Sequence, residues 1–184
     1  LDKANKVGKK ILMSGGGRCN FTNHFVESDN FLSDNPHFCK SALNRYTQWD
    51  FIALVEQHGI AYEERSHSQL FCLDSAKDIV AMLLNECDRS GVEVQTLCEL
   101  DTLEPLESDT ARYRLAVTQA GQPRRLECTS VVVATGALSV PTLGGSGVGY
   151  EIARQFGMGL TERRAGLVPF MFSDSMKALC ERLS

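Results

Sequence analysis

The sequence predicts an α/β fold in which a small antiparallel β-meander lies over a parallel sheet. Two helices open with capping-box patterns, and a series of short alternating strands follows them. A continuous β-branched run, Ser130–Ala134, then precedes a glycine-rich turn and another helix. Such a run is typical of a strand that is buried on both faces of a parallel sheet. Helices, meander, buried strand and helix in this order favour the α/β class.

The first part of the chain predicts a loop, one helix and two short strands. Segment 3–37 is rich in Gly, Asn, Ser and Asp, which indicates a loop with a short helical turn. Thr47 and Asp50 have the spacing of a capping box and open a helix, and Gly59 ends it. Two short apolar runs then predict strands, at Ile60–Tyr62 and Leu70–Cys72.

The middle of the chain predicts a longer helix and the meander. Ser75 and Asp78 form a second capping-box pattern, and Gly91 ends the helix that follows. From Val92 to Cys128 the residues alternate as in strands, and turn residues at Glu104-Pro105 and at Gly121–Pro123 divide them. After the Ser130–Ala134 strand, a last helix is predicted from about residue 149 to 156, with Gly157 as its stop.

Composition excludes several classes of protein. Lys+Arg 19 against Asp+Glu 23 gives the 184 residues a net charge of −4, so no global basic field attracts nucleic acid. No apolar run approaches the roughly 20 residues of a membrane span, and no signal peptide is recognisable. Seven cysteines without a C-x-x-C pair argue against a disulfide framework and a metal site. We therefore expect a cytoplasmic protein with a small-molecule substrate and no nucleic-acid or membrane partner.

The strongest candidate site begins with Asp2 and a lysine-rich loop and continues through Ser14–Asn23. In a dinucleotide fold, an acid at the end of a strand accepts hydrogen bonds from ribose hydroxyls. Glycines such as Gly15, Gly16 and Gly17 allow backbone N–H groups to approach a phosphate or a flat ring. Arg18 can pair with an anion. A solvated basic loop with a glycine turn remains the alternative interpretation.

Two further glycine-rich segments are weaker candidates. Ala134-Thr135-Gly136 would place backbone amides at the carboxyl edge of a sheet, although an ordinary strand exit has the same pattern. Gly144–Gly149 precedes a helix but completes neither a G-x-G-x-x-G nor a G-K-[ST] motif, so a flexible loop is the preferred interpretation.

Taken together, these motifs resemble the signature of the YhiN-like flavoproteins, a family related to aminoacetone oxidase and a bile-acid reductase. The resemblance rests chiefly on Ser14–Asn23, and it extends to Ser75–Asp78, Ala134–Gly136, Gly144–Tyr150 and Gly166–Phe170. It implies a Rossmann-like FAD-binding domain of the two-dinucleotide-fold type.

The resemblance also implies a set of FAD contacts. Asp2 would hold the adenosine ribose, the backbone at Leu100 would contact adenine, and the loop Gly15–Asn20 would pass the pyrophosphate and flavin. The turn after Ser130–Ala134 would lie beside the cofactor. The residues expected to bind FAD are Asp2, Lys10, Ser14, Gly15, Gly16, Gly17, Arg18, Cys19, Asn20, Leu100, Ala134, Thr135 and Gly136.

By the same resemblance, residues 1–170 form a partial FAD-binding domain and residues 171–184 begin an inserted second domain. The chain looks like part of a longer protein, incomplete at both ends, because the family's first strand and G-x-G-x-x-G turn would precede Leu1. We therefore expect the chain alone to bind FAD weakly or not at all.

The implied function is that of an FAD-dependent oxidoreductase, in which hydride moves between flavin and a small organic substrate or NAD(P)H. No residue in the sequence identifies itself as a catalytic acid or base. The alternative is a non-catalytic nucleotide-binding or interaction module that keeps the flavoprotein fold.

Overall fold

The computed structural model describes residues 1–140, 144–166, 173, 177 and 180–182. The chain divides into two compact units, Leu1–Ser146 and Gly147–Ser184. The first unit contains four α-helices and two antiparallel sheets, and the second contains one α-helix at Val148–Gln155 and further helical residues at 177 and 180–182.

The four helices of the first unit are α1 (Lys9–Met13), α2 (Lys40–Arg45), α3 (Gln48–Gln57) and α4 (Ala76–Arg89). The capping box predicted at the start of α3 is confirmed. The backbone N–H of Thr47 donates to the Asp50 carboxylate at 2.7 Å, and the Asp50 N–H donates to the Thr47 hydroxyl at 3.3 Å. Gly59 follows α3 with φ +66°, a left-handed conformation that ends helices at little cost for glycine.

Helix α4 also begins where the sequence predicts, but with a simpler cap. The Ser75 hydroxyl accepts a hydrogen bond from the Lys77 N–H at 3.2 Å. The Asp78 N–H donates to the Ser75 carbonyl. Gly91 then takes φ +68° after the last turn.

Two three-stranded antiparallel sheets complete the first unit. The first contains β1 (Asn20–Asn23), β2 (Tyr62–Arg65) and β3 (Gln69–Cys72) in the order β1-β3-β2. The second is the predicted meander, with β4 (Cys98–Pro105), β5 (Tyr113–Gln119) and β6 (Gln122–Cys128) in chain order. The meander is confirmed, although residues 92–97 are not part of a strand.

The turn between β5 and β6 lies one residue earlier than predicted. Gln119 pairs with Gln122, so the loop consists of Ala120 and Gly121 alone. Both have positive φ, +47° and +82°, as a type I′ hairpin turn requires. Pro123 therefore lies within β6, where it is tolerated because β6 is an edge strand.

A hydrophobic core joins α3 and α4 to the first sheet. Its fully or nearly fully buried side chains are those of Cys19, Val55, Cys72, Ala76, Ile79 and Met82. Phe21 of β1 packs on this cluster and contacts the rings of Phe51 and Tyr62. This core fixes the start of β1, and with it the glycine loop that precedes β1.

The predicted buried strand at Ser130–Ala134 is wrong. These residues adopt no strand, and Val132 is 88% exposed. Within the described residues all strand pairing is antiparallel, so the expected parallel sheet is not seen there. A β-branched run shows that a segment is suited to a strand, but the strand also needs neighbours that supply hydrogen bonds.

The second unit contains α5 (Val148–Gln155), and Gly157 follows it with φ +70°. The predicted last helix is thus confirmed to within one residue at each end. Residues 167–170 of the Gly166–Phe170 motif lie outside the described residues, and so does the predicted domain boundary at 170. The division into domains 1–170 and 171–184 stays a prediction.

Candidate cofactor site

The glycine loop is a left-handed turn that closes on itself. Ser14–Gly17 form a short 3-10 helix after α1, and Gly15, Gly16 and Gly17 have φ of +57°, +66° and +87°. The Arg18 N–H donates to the Gly15 carbonyl at 3.4 Å. The Cys19 N–H donates to the Ser14 carbonyl at 3.0 Å. Glycine is needed here because L-residues rarely adopt consecutive left-handed conformations.

The three glycines have different surroundings. A Cβ on Gly15 would lie 2.6 Å from Cε1 of Phe71, so Gly15 allows the loop to pack on β3. A Cβ on Gly16 would meet no heavy atom within 4 Å, and one on Gly17 would meet only the Leu12 carbonyl at 4.0 Å. Gly16 and Gly17 therefore present bare backbone to an open face. A flat or phosphate-containing ligand can approach such a surface closely, which fits the expected cofactor.

Two cysteines anchor the far end of the loop in the core. Cys19 is 5% exposed with φ +51°, and the Cys72 N–H donates to the Arg18 carbonyl at 2.9 Å. Burial, with a smaller effect of the neighbouring Cys19, raises the pKa of the Cys72 thiol to about 11. The Cys19 side chain thus packs inside, and only its backbone is placed to line a site on the loop.

A cation lies at each of the two glycine-rich segments. The Arg18 side chain is 49% exposed, and its Nη1 lies 3.7 Å from Oε1 of Glu63. The Lys10 ammonium lies 3.4 Å from the position that a Cβ on Gly136 would take. The structure therefore brings Lys10 to the Ala134–Gly136 turn, where Ala134 and Thr135 are exposed. These contacts join two segments that are more than a hundred residues apart in the sequence.

Asp2 is held against the start of β4. Its N–H donates to the Gln95 carbonyl at 2.8 Å, and its carbonyl accepts from the Cys98 N–H at 3.0 Å. One carboxylate oxygen accepts the Ala4 N–H at 2.8 Å. Leu100, which lies two residues beyond Cys98 in β4, is half-buried. The residues expected to contact the ribose and the adenine are therefore neighbours.

Two of the predicted contacts are occupied in holding the loop. The Ser14 hydroxyl donates to the Ile11 carbonyl at 2.8 Å. The Asn20 amide nitrogen, when turned toward β3, donates to the Thr22 and Leu70 carbonyls at 2.8 and 3.2 Å. Both side chains shape the loop through these bonds. Sequence reasoning misses the strand β1 that begins at Asn20, and the Phe21-Thr22 pair is the only β-favouring signal in it.

Within the described residues, no group of three or more His, Cys, Asp and Glu side chains is arranged to hold a metal ion. In the same part of the chain, no helix has the length and apolar character of a membrane span.

A family model described as the HI0933-like protein Rossmann domain matches residues 1–178. The chain belongs to this family. The Rossmann-like class of the fold prediction is thereby confirmed.

Three relatives of this HI0933-like chain are informative. It is 51% identical over 170 residues to a ribosomal RNA dihydrouridine synthase of Escherichia coli, covering 92% of this chain and 41% of the relative. A protein of the same name from Haemophilus influenzae is 47% identical over 180 residues, covering 97% of this chain and 44% of the relative. A 3-dehydro-bile acid delta(4,6)-reductase of Clostridium scindens is 26% identical over 157 residues, covering 85% of this chain and 37% of the relative. The chain thus spans less than half the length of each relative.

The expectation of no nucleic-acid partner is wrong. Relatives at 51% and 47% identity are named for a reaction on ribosomal RNA. The expectation rested on the net charge of −4, which is a sum over the whole chain. Such a sum does not report where cations and aromatic rings are placed on the surface.

Proposed function

We propose that this chain carries the FAD-holding part of a reductase that saturates a carbon–carbon double bond, with uracil in ribosomal RNA as the substrate. The observation that carries the proposal is the open glycine loop at Gly16 and Gly17, which Arg18 follows directly, with Lys10 beside the Ala134–Gly136 turn. It occurs in a chain that is 51% identical to a ribosomal RNA dihydrouridine synthase.

The names of the relatives describe one type of chemistry. Dihydrouridine is uridine with two hydrogens added across C5=C6, a bond conjugated to the C4 carbonyl. A Δ4,6 bile-acid substrate with a 3-oxo group likewise has double bonds conjugated to a carbonyl. In both cases a hydride adds at an electron-poor carbon of the conjugated system, and a proton completes the addition. When bound, FAD supplies this hydride chemistry, and NAD(P)H is the proposed source of electrons.

The residues of this chain would bind and orient the cofactor. The backbone at Gly16 and Gly17 offers N–H groups without side chains in the way. Lys10 and Arg18 would offset the charge of the pyrophosphate. The Asp2 carboxylate, beside β4, would accept hydrogen bonds from the ribose. Catalytic residues stay unassigned.

A chimera tests this proposal. This chain would replace the matching segment of the Escherichia coli relative, and the product would be expressed in a strain that lacks that relative. We expect a yellow protein with flavin absorbance that NADPH bleaches, and ribosomal RNA that again contains dihydrouridine by nucleoside mass spectrometry.

The matched variant Asp2→Asn has the same size and lacks the acceptor charge, so we expect weaker FAD binding in the chimera. A chimera that is folded but colourless would contradict the FAD assignment. A yellow chimera that leaves ribosomal RNA unmodified would contradict the substrate assignment alone.

A further inference from the structure

The exposed aromatic side chains of this protein are concentrated in one part of the chain. Within the described residues, every exposed Phe, Tyr or Trp side chain lies between residues 25 and 49. They are Phe25 (73%), Phe31 (40%), Phe38 (57%), Tyr46 (54%) and Trp49 (56%). Exposing an aromatic ring to water is unfavourable in free energy, and a concentration of exposed rings in one segment is typical of an interaction site.

The rings around α2 are accompanied by positive charge. Phe38 precedes this helix, Lys40 and Arg45 are its first and last residues, and Tyr46 ends it. Segment 35–49 contains no Asp or Glu. Within the described residues neither Lys40 nor Arg45 forms an ion pair. We name Phe38, Lys40, Arg45, Tyr46 and Trp49 the α2 surface.

The acidic residues nearest to the α2 surface in the sequence either have hydrogen-bond partners of their own or lie earlier in the chain. Asp50, which follows Trp49, is bound by the Thr47 backbone N–H and hydroxyl, and these hydrogen bonds lower its pKa. Glu27, Asp29 and Asp34 belong to the preceding segment. The charge of the α2 surface itself is therefore positive.

Trp49 is held as a flat platform. Its ring stacks on the His24 ring with a centroid distance of 5.5 Å and an interplanar angle of 16°. His24 is in turn fixed, since its carbonyl accepts a hydrogen bond from the Gln48 side chain at 3.0 Å and its Nδ1 lies 3.4 Å from the Glu64 carboxylate. One face of the indole is thus supported by protein, while the side chain as a whole remains exposed.

We infer that the α2 surface binds a single-stranded segment of RNA, with bases stacked on its rings and phosphates paired with Lys40 and Arg45. Flat rings interleaved with cations are the usual means of holding unpaired nucleotides. The six residues of α2 span about 9 Å, which is between two and three times the rise of about 3.4 Å per nucleotide of a stacked strand. The inference rests on the proposed function, because the names of the relatives supply RNA as the partner.

The position of this surface suits a substrate-holding role. Strand β1 runs from Asn20, at the end of the glycine loop, to Asn23, and His24 follows it. At about 3.3 Å per residue, His24, on whose ring Trp49 stacks, lies at most roughly 13 Å from Asn20. An RNA strand that is held there can place one base toward the cofactor while its neighbours stack on the α2 surface.

Trp49 provides a direct test, since it is the only tryptophan of the chain. A short uridine-rich single-stranded RNA would be titrated into the 184-residue protein while tryptophan emission is recorded. We expect quenching, and weaker quenching by the same sequence as a duplex. Tyr46→Ala should weaken binding about fivefold or more. Lys40→Gln with Arg45→Gln should reduce the slope of log affinity against log salt by about 0.7 for each phosphate that is no longer neutralised.

Arg124→Gln with Arg125→Gln is the matched control, because it removes the same charge from exposed positions of β6. This control should bind RNA nearly as the unaltered chain does. Circular dichroism of each variant would verify that it is folded. RNA binding that leaves Trp49 emission unchanged and is equally strong in all variants would overturn the inference, and so would the absence of any RNA binding.

The chimera separates this inference from the proposed function. If it forms dihydrouridine, and Tyr46→Ala leaves its KM for RNA unchanged, the assignment of RNA binding to the α2 surface is wrong, while the proposed function is supported. Protection of Trp49 from acrylamide in the RNA-free chimera would show that protein covers this surface, which also overturns the inference. A tenfold rise in KM with little change in kcat would support it.

Discussion

Packing around Gly16 leaves room for a side chain, so we propose that this glycine serves the cofactor. It has φ +66°, and a Cβ there would meet no atom within 4 Å. We predict that Gly16→Ala lowers the free energy of unfolding by only about 1–2 kcal/mol, the strain of a left-handed L-residue. The new methyl group would project from the bare backbone face, so FAD binding by the chimera should weaken at least tenfold. Chemical unfolding and flavin titration measure the two effects.

Gly59 is the matched control for this prediction, since it also has φ +66° and open space around it, but it ends α3. Gly59→Ala should lose similar stability and keep full FAD affinity. Gly15→Ala should destabilise more than either, because its Cβ would lie 2.6 Å from the Phe71 ring and 2.9 Å from the Asn20 nitrogen. Equal flavin affinity in the Gly16 and Gly59 variants would remove Gly16 from the cofactor site.

The hairpin between β5 and β6 has backbone strain at Ala120, which a substitution can relieve. Ala120 has φ +47° in a two-residue turn that favours Asn or Gly at this position. We predict that Ala120→Gly stabilises the protein by about 0.5–1 kcal/mol, since glycine reaches this conformation without strain but loses more entropy on folding. Ala81→Gly, the same change at an exposed position inside α4, should destabilise by about 1 kcal/mol. Urea unfolding measures the change in the free energy of unfolding for both variants. Changes of opposite sign would support the turn assignment, and a loss of stability in Ala120→Gly would contradict it.

A side-chain hydrogen bond links the end of α3 to α4. Nε2 of His58, at the end of α3, lies 2.8 Å from Oε1 of Glu86 in α4. This hydrogen bond is the main cause of the lowered pKa of Glu86, whose usual value is 4.5. Because the pKa is lower in the folded state, the stabilisation is present above pH 4.5 and is lost as the pH falls through the folded value.

We therefore predict that Glu86→Gln reduces stability at neutral pH, and that its difference from the unaltered protein shrinks as the solution is acidified. His58→Gln should reduce the same acid dependence, and in the double variant the two effects should not add. Urea unfolding across the acid range measures this. A constant difference between Glu86→Gln and the unaltered protein at all pH values would be evidence against the coupling.

Across the whole molecule, the features that the sequence predicts correctly are those that neighbouring residues in the chain determine. The caps at Thr47 and Ser75 and the left-handed glycines mark α3 and α4, and side-chain alternation marks the meander. Local patterns do not reveal long-range pairing. They therefore miss β1. They also assign Ser130–Ala134 to a parallel sheet, although no described strand pairs with this segment. For the same reason, no local pattern could show that Lys10 meets Gly136.

The share of the FAD affinity that resides in these 184 residues depends on which cofactor-binding elements they contain. They contain the glycine loop but no G-x-G-x-x-G turn, which in Rossmann domains seats the pyrophosphate on a helix N-terminus. We predict that the chain alone binds FAD weakly or not at all. Replacing the matching segment of the Escherichia coli relative with this chain, as in the chimera, should restore the affinity that the chain alone lacks.

Thermal unfolding with and without FAD measures both the chimera and the chain, because a ligand at 100 times its Kd stabilises a protein by about 2.7 kcal/mol. The Gly16→Ala form of the chimera is the control, and it should lose most of the shift in unfolding temperature. A chain that purifies with stoichiometric flavin would contradict the prediction, and would mean that the loop, Lys10, Arg18 and Asp2 hold FAD without a separate pyrophosphate turn.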